Sequence, residues 1–174
     1  MFRGVIDRID RTPDGRQLVV SDYKTGKPDP FRSIAPRGTV PDLTARGTKL
    51  QLPIYALAAR ARFPEAETVQ ARYWFVGSRG DGMTIGGEYD EAADARFREV
   101  VTTVVDGIEA GQFPANPGGE DYRFGAWTHD NCSWCEFDRV CPTTRGEAWI
   151  QLRQAPELEA YVGLAEARTE EDEG

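Results

Sequence analysis

The chain has 174 residues, 40% of them hydrophobic and 29% charged, which is the size and composition of one compact globular domain. Four Trp, six Tyr and eight Phe exclude a disordered chain, and the apolar runs are far shorter than the roughly 20 residues of a membrane span. With one His and three Cys, neither a His-rich metal site nor a secreted disulfide scaffold is expected. We therefore expect a cytoplasmic protein with no membrane contact.

The formal net charge of −8 is unusual for a protein that binds nucleic acid. Half of this charge lies in residues 166–174, which contain five acidic residues and one Arg. The remaining charge neither supports nor excludes DNA binding, because a cleft for a divalent cation must itself be acidic. We expect residues 1–165 to form a single domain and residues 166–174 to form a flexible acidic tail.

The N-terminal third of the chain predicts two strands, a long loop and a helix. Strands are expected at residues 2–10 and 16–24, joined by a TPDG turn in which Gly allows a positive φ. Residues 26–47 form a loop that is longer than usual, which indicates a functional role. Thr48 is expected to cap a helix that ends at Arg62.

The rest of the chain predicts a β-hairpin, a helix and a segment that contains the cysteines. Residues 69–76 have the strongest strand pattern, and residues 83–89 are expected to pair with them. A second helix is expected to begin at Asp90 and to end at a C-cap formed by Gly111. Residues 112–128 are expected to be a loop, and an amphipathic stretch follows the three Cys at residues 132–141.

Three charged residues on the first hairpin are expected to share one face. Asp22 and Lys24 do so because side chains alternate along a strand. Paired residues in an antiparallel hairpin have residue numbers with a constant sum. This sum is expected to be 27 for the four-residue turn, or 29 if the pairing shifts by one residue on each strand, and both sums are odd, as is that of Asp7 and Asp22. Their Cβ atoms are therefore expected roughly 5 Å apart if directly opposite, or roughly 7 Å apart on the diagonal.

Two carboxylates at this separation repel each other unless a cation lies between them. Mg²⁺ or Mn²⁺ suits such an oxygen-only site and leaves room for a phosphate. Lys24 could then orient the attacking water or offset charge on the pentavalent phosphate. The alternative is a solvated hairpin face on which Asp and Lys form surface ion pairs.

Four motifs occur in order between residues 4 and 142: GVIDRID at 4–10, SDYKTG at 21–26, QLPIY at 51–55 and CSWCEFDRVCP at 132–142. In this order they resemble the RecB family of PD-(D/E)XK nuclease domains, with its G-x-I-D-R-I-D, D-Y-K-[ST]-G and Q-x-x-x-Y motifs and its C-x2-C-x5-C-P iron–sulfur motif. The resemblance implies an α/β, restriction-endonuclease-like fold whose central mixed sheet is flanked by helices.

The resemblance also implies a function and a set of site residues. Asp7, Asp22 and the backbone carbonyl of Tyr23 would bind Mg²⁺ or Mn²⁺, and Lys24 would be the catalytic lysine. Asp10 is expected on the opposite face, where it supports the hairpin. The implied activity is exonuclease-type hydrolysis of single- or double-stranded DNA ends, carried out by the nuclease module of a helicase–nuclease in break repair and recombination. The helicase motor would lie in the same longer polypeptide or in another subunit, since this chain contains no P-loop motif.

Gln51 and Tyr55 are four residues apart and therefore share one helical face. The family resemblance implies that both residues position the DNA strand and the groups bound to the metal. The spacing alone favours another interpretation, in which Thr48 and Gln51 form a capping box and Tyr55 packs in the core.

Cys132, Cys135 and Cys141 have the spacing of metal ligands. A [4Fe–4S] cluster needs four thiolates, and the family's upstream Cys and its N-terminal helix have no counterpart here. The sequence would then be the C-terminal part of a longer nuclease or a shortened homologue. A zinc site that includes His129 is an alternative that needs no further residue, and buried reduced thiols are a third interpretation.

Two further functions stay open from the sequence. The fold could be kept as a non-catalytic module that binds DNA or serves as a scaffold, which the net charge and the missing N-terminal helix favour. A zinc-stapled interaction domain would leave the hairpin carboxylates without a role.

Overall fold

The computed structural model of the protein describes residues 4–36, 38–123, 125–133 and 135–166. From the sequence, one domain is expected over residues 1–165, whereas the contacts group the chain into two compact units, residues 1–102 and 103–174. Apart from Glu166, the expected acidic tail lies outside the described residues. None of the helices within these ranges is long and apolar enough to cross a membrane.

The first unit contains a four-stranded mixed sheet. Its strands are β1 (Arg8–Arg11), β2 (Gln17–Lys24), β3 (Thr68–Phe75) and β4 (Thr84–Glu88), in the order β1-β2-β3-β4. The β1–β2 and β3–β4 pairs are antiparallel, whereas β2 and β3 are parallel. The mixed sheet and both predicted hairpins are therefore confirmed.

The first hairpin has the second of the two predicted registers, in which the pairing is shifted by one residue on each strand and the paired residue numbers sum to 29. Arg8 lies opposite Ser21 and Arg11 lies opposite Leu18, and Gly15 in the turn has a φ of +80°. The strand expected from residue 2 begins only at Arg8. This prediction was too long because the next backbone N–H of β2 is taken by a side chain rather than by a strand carbonyl, as described below.

Helix α1 (Gln51–Arg62) connects β2 to β3 and covers one face of the sheet. A parallel strand pair needs such a crossover, because the last residue of the first strand and the first residue of the second lie at opposite ends of the sheet. The buried residues of the helix and of the sheet face beneath it form the core: Leu52, Ala56 and Ala59 from α1, and Leu18, Val20, Val69, Ala71, Tyr73 and Phe75 from the strands. On β2, alternation continues this face to Asp22 and Lys24.

The predicted loop between β2 and α1 is partly ordered into a 3₁₀ helix at Asp29–Ile34 and then a tight turn. Three successive residues of the turn have a left-handed φ: Ala45 (44°), Arg46 (57°) and Gly47 (86°). The carboxylate of Asp42 holds this turn by accepting bonds from the backbone N–H and hydroxyl of Thr44, at 2.9 and 2.5 Å, and from the N–H of Arg46 at 3.0 Å. Lys49, which follows the turn, donates its N–H to the carbonyl of Thr44.

Helix α2 (Glu91–Glu109) begins near the residue predicted from the sequence. Beyond it, the described elements are β5 (Glu120–Arg123), β6 (Ala126–His129), a 3₁₀ turn (Asp138–Val140), α3 (Arg145–Leu152), a second 3₁₀ turn (Pro156–Leu158) and α4 (Glu159–Ala165). The loop prediction for residues 112–128 is therefore wrong in its second half. A tight turn with Gly125 at a φ of +83° brings Tyr122 opposite Trp127, and their rings lie 5.6 Å apart.

Candidate active site

Asp7 lies immediately before β1 and contacts the backbone of β2. Its Oδ2 accepts a hydrogen bond of 2.9 Å from the backbone N–H of Tyr23. The pairing of Arg8 with Ser21 places Asp7 one step further along the hairpin, at the position opposite Asp22. The carboxylate of Asp7 thus replaces a strand carbonyl at the point where β1 begins.

Asp22 is a buried acidic residue on the core face of β2, with 4% of its surface exposed. Its Oδ2 lies 2.6 Å from the Nζ of Lys24. This contact lacks the angles of a hydrogen bond, and Oδ2 has no hydrogen-bond partner among the described residues. Asp22 and Lys24 therefore form an ion pair, while Oδ2 keeps a lone pair that no hydrogen bond from a described residue occupies. A buried carboxylate oxygen in this state fits a ligand of a cation.

The ammonium group of Lys24 is held between β2 and α1. It donates to the Oε1 of Gln51 at 3.1 Å, and its Nζ lies 4.8 Å from the ring centroid of Tyr73. Burial, with a smaller contribution from the charge of Asp22, raises the pKa of Tyr73 well above its ordinary value, so the phenol stays neutral. Lys24 is therefore fixed by a carboxylate, an amide oxygen and the face of an aromatic ring.

Gln51 is the first residue of α1 and connects Lys24 to Tyr55. Its Nε2 donates to the hydroxyl of Tyr55 at 3.1 Å. Because a lysine ammonium only donates, the amide oxygen must face Lys24 and the amide nitrogen must face Tyr55. The predicted capping box is absent: the N-cap residue is Leu50, with no side-chain cap, and the hydroxyl of Thr48 donates to the carbonyl of Ala45 instead.

The oxygen atoms at this end of β2 suit a small divalent cation. The carbonyl of Lys24 accepts the N–H of Val76, next to β3. Backbone groups alternate in direction along a strand, so the carbonyl of Tyr23 points to the opposite edge, where Asp7 bonds its N–H. Two carboxylates and one carbonyl form the kind of oxygen set that Mg²⁺ or Mn²⁺ binds. Within the described ranges, no group of three or more His, Cys, Asp or Glu side chains could hold a metal ion.

Asp10 lies on the opposite face of the hairpin, as the alternation predicts. Its carboxylate accepts hydrogen bonds from Arg8, the shortest being 2.7 Å, and these bonds lower the pKa of Asp10. Arg8 also donates to the hydroxyl of Tyr23 at 3.4 Å and lies 6.0 Å from the ring of Trp74. This acidic residue is thus already paired and takes no part in the site formed by Asp22 and Lys24.

The cysteine motif lies in the second unit. Cys132, Cys135 and Cys141 are partly buried and form no disulfide. The Nδ1 of His129 is buried without a hydrogen-bond partner among the described residues, which suits a ligand. In the part of the chain that the structure describes, however, these four residues do not come together as a metal-binding group. The iron–sulfur and zinc sites therefore stay predictions that the structure does not support.

Two residues of the site have no signal in the sequence. Tyr73 lies beside Asp22 in the parallel β2–β3 pair, and only knowledge of that register would place it there. Phe31 comes from the 3₁₀ helix between β2 and α1, and its ring packs against Tyr73 at 4.7 Å and Phe75 at 5.3 Å. In the sequence alone, both residues are typical of apolar core positions, and only the fold shows that they lie at the site.

The family comparison agrees with this geometry. Residues 1–142 match the family model of the PD-(D/E)XK nuclease superfamily, and this range includes the hairpin, α1 and the cysteine motif. Searches of curated proteins and of solved structures give no significant match. The matched range covers most of the chain, and the chain therefore belongs to the PD-(D/E)XK nuclease superfamily.

Proposed function

We propose that this protein hydrolyses DNA phosphodiester bonds with the help of Mg²⁺ or Mn²⁺. Asp7, Asp22 and the carbonyl of Tyr23 are the proposed ligands, Lys24 is the proposed catalytic residue, and Gln51 and Tyr55 position the DNA strand. Membership of the superfamily supports a nuclease-type activity. The observation that carries the proposal is the buried Asp22 carboxylate, whose Oδ2 lacks a hydrogen bond although it lies 2.6 Å from the ammonium group of Lys24.

The bound cation would supply Lewis acidity to the water and the phosphate. Lys24 would stabilise the charge that builds up on the phosphate oxygens, since its ammonium group is already fixed by Asp22 and Gln51. Gln51 would limit the motion of Lys24, and Tyr55 would hold the Gln51 amide in the orientation that accepts from lysine. Prior positioning of this kind lowers the cost of reaching the transition state.

The charge distribution supports DNA binding by the first unit. Residues 1–102 contain 16 Lys and Arg against 14 Asp and Glu, whereas residues 103–174 contain 5 against 15. The net charge of −8 thus comes from the second unit, and the unit that contains the candidate site is slightly positive. The negative total is therefore no argument against a phosphate-containing substrate at this site.

The test is degradation of linear single- and double-stranded DNA with Mg²⁺ or Mn²⁺. Asp22→Asn removes the charge of the proposed ligand at nearly constant volume and is expected to lower the rate by about 100-fold or more. Asp10→Asn is a matched control, since it makes the same change in the same hairpin on the opposite face, where Arg8 pairs with the carboxylate. Equal rates for wild type and Asp22→Asn would contradict the site assignment.

A non-catalytic DNA-binding or scaffolding role is the second candidate. It is favoured by the finding that the described residues contain no group of three side chains able to hold a metal. Wild-type protein that binds DNA but leaves it intact with either metal would support this role. Iron and zinc, measured on the same preparation, would show whether Cys132, Cys135 and Cys141 bind a cluster, a zinc ion or nothing.

A helicase motor remains the proposed partner, in the same longer polypeptide or in another subunit, with a role in break repair. This part of the proposal rests on the sequence resemblance of residues 4–142 to the RecB family. Exonuclease-type action would appear as degradation of linear DNA with circular DNA left intact.

A further inference from the structure

Two lysine side chains contact the ring of Phe31. The Nζ of Lys49 lies 5.0 Å from the ring centroid, and the Nζ of Lys24 lies 5.9 Å from it. Lys49 lies two residues after the tight turn at residues 42–47 and two residues before Gln51. The aromatic ring therefore places a second ammonium group next to the candidate catalytic lysine.

The two lysines differ in their acidic partners. Lys24 is paired with Asp22 at 2.6 Å. For Lys49, none of the described carboxylates lies within 4.0 Å of its Nζ, and its ammonium group lies against the ring of Phe31. A half-buried cation loses part of its hydration, and without a carboxylate nearby it gains most from an anion that arrives from outside.

The backbone that carries Lys49 is held in a defined conformation. The left-handed residues of the preceding turn carry a conformational cost, which persists only where the surrounding contacts fix the chain. Those contacts are the three hydrogen bonds accepted by Asp42 and the bond from the N–H of Lys49 to Thr44. With its backbone fixed and its Nζ against the ring of Phe31, the Lys49 side chain loses less conformational freedom when it binds a ligand.

The spacing of the two ammonium groups suits a nucleic-acid strand. Since both lie near one ring, at 5.0 and 5.9 Å from its centroid, they are at most about 11 Å apart. Successive nucleotides advance by roughly 3.4 Å along the axis. A strand that brings its scissile phosphate to Lys24 therefore brings a nearby phosphate within reach of Lys49.

We propose that Lys49 binds a backbone phosphate adjacent to the scissile phosphate, and that Phe31 supports both lysines. This inference rests on the proposed nuclease function and adds a substrate-binding residue to that site. The contact would be to phosphate and not to a base, so it would strengthen binding without regard to sequence. It would act on substrate binding more than on the chemical step, because among the described residues Lys49 forms no ion pair with Asp22 and no side-chain hydrogen bond with Gln51.

The experiment compares Lys49→Gln with Lys49→Arg and with Arg16→Gln. Arg16 is a matched control: it makes the same change in charge within the same unit, its side chain is 64% exposed, and it is separated from Lys24 by the length of β2, about 25 Å. Binding of a short single-stranded oligonucleotide is measured in EDTA over a series of salt concentrations. Steady-state cleavage with Mg²⁺ gives KM and kcat.

Lys49→Gln is expected to raise KM by roughly three- to tenfold while kcat stays within about twofold of wild type. In EDTA it should reduce the slope of log binding constant against log salt by about 0.7, the value for one phosphate contact on a single strand. Lys49→Arg should keep the wild-type slope, and so should Arg16→Gln. A slope for Lys49→Gln that equals that of Arg16→Gln would overturn the inference.

Failure of the proposed function is distinguishable from failure of this inference. Wild-type protein that binds DNA but does not cut it would overturn the nuclease proposal, and the salt slope of Lys49→Gln would still decide whether Lys49 binds phosphate. Wild-type protein that neither binds nor cuts DNA would overturn both. A lower Tm for Lys49→Gln with unchanged binding would show that the contact with Phe31 only stabilises the fold.

Discussion

Replacement of Gln51 by Ala tests whether the contacts between β2 and α1 serve catalysis. The amide of Gln51 accepts from the Nζ of Lys24 and donates to the hydroxyl of Tyr55, both at 3.1 Å. Gln51→Ala removes both bonds and leaves Lys24 with the carboxylate of Asp22 and the rings of Tyr73 and Phe31. Since Gln51 does not cap α1, the substitution leaves the helix start otherwise intact.

The expected magnitudes follow from these two bonds. A hydrogen bond to a charged group contributes about 1.5–3 kcal/mol and a neutral one about 0.5–1.5 kcal/mol. The Lys24 side chain is 26% exposed and keeps its ion pair with Asp22, so water replaces part of the lost interaction. We expect Gln51→Ala to lower the free energy of unfolding by about 2 kcal/mol. If Lys24 must be fixed for catalysis, kcat should fall roughly 10- to 30-fold, since each 1.4 kcal/mol corresponds to a factor of ten.

The assays are urea unfolding and steady-state cleavage of linear DNA, with Tyr55→Phe and the double variant included. Tyr55 acts on Lys24 through Gln51, so the double variant should have the same kcat as Gln51→Ala. Independent, additive effects would argue against a connected set of contacts. A kcat within twofold of wild type, together with the expected loss of stability, would refute a catalytic positioning role for Gln51.

Three further predictions concern the surroundings of the site. Asp7→Asn keeps an acceptor for the N–H of Tyr23 and should leave stability within about 0.5 kcal/mol of wild type, whereas Asp7→Ala should cost about 1 kcal/mol in urea unfolding; both should abolish metal-dependent cleavage. Burial alone would raise the pKa of Asp42, but the hydrogen bonds from Thr44 and Arg46 and the charge of Arg96 together outweigh it, and the pKa is lowered. The stabilisation by Asp42 is therefore present above the unfolded-state pKa of about 3.9 and is lost as the pH falls through the lower folded-state value. Accordingly, Asp42→Asn should lower the free energy of unfolding by about 1–2 kcal/mol at neutral pH and by progressively less as the pH falls below about 3.9. An equal loss at neutral and at acidic pH would contradict a stabilising role for the Asp42 carboxylate. Leu52→Ala, at a position with 0% exposure, should cost about 2–5 kcal/mol by thermal or urea unfolding, and a smaller loss would mean that α1 repacks on the sheet.

The sequence is sufficient to predict the first hairpin and to limit its register to two alternatives. A turn with Pro and Gly and two runs of β-forming residues leave few registers, and the two without a bulge predict that Asp7 and Asp22 lie on one side. The observed pairing of Arg8 with Ser21 belongs to this set. The parity argument works because a hairpin register depends on local geometry alone.

Contacts between distant segments were not predictable from the sequence. The position of Tyr73 next to Asp22 depends on the parallel register between β2 and β3, which the intervening helix sets. For Gln51, the local spacing favours a capping box with Thr48, and tertiary contacts with Lys24 and Tyr55 prevail over it. Local rules fail here because one hydrogen bond to a charged, half-buried lysine contributes more than a neutral helix cap.

The net charge of the chain is informative only when it is divided between the two units. An excess of acidic residues over the whole sequence suggests a protein that avoids nucleic acid, yet residues 1–102, which contain the candidate site, hold more basic than acidic residues. Charges separated by more than about 10 Å in solvent are largely screened at physiological salt. A phosphate at the site therefore responds mainly to the charges beside it, which are those of Lys24 and Lys49 and of any cation bound by Asp7 and Asp22. DNA binding by this protein should accordingly depend on these few residues, and the salt slope of single-residue variants is the measurement that detects it.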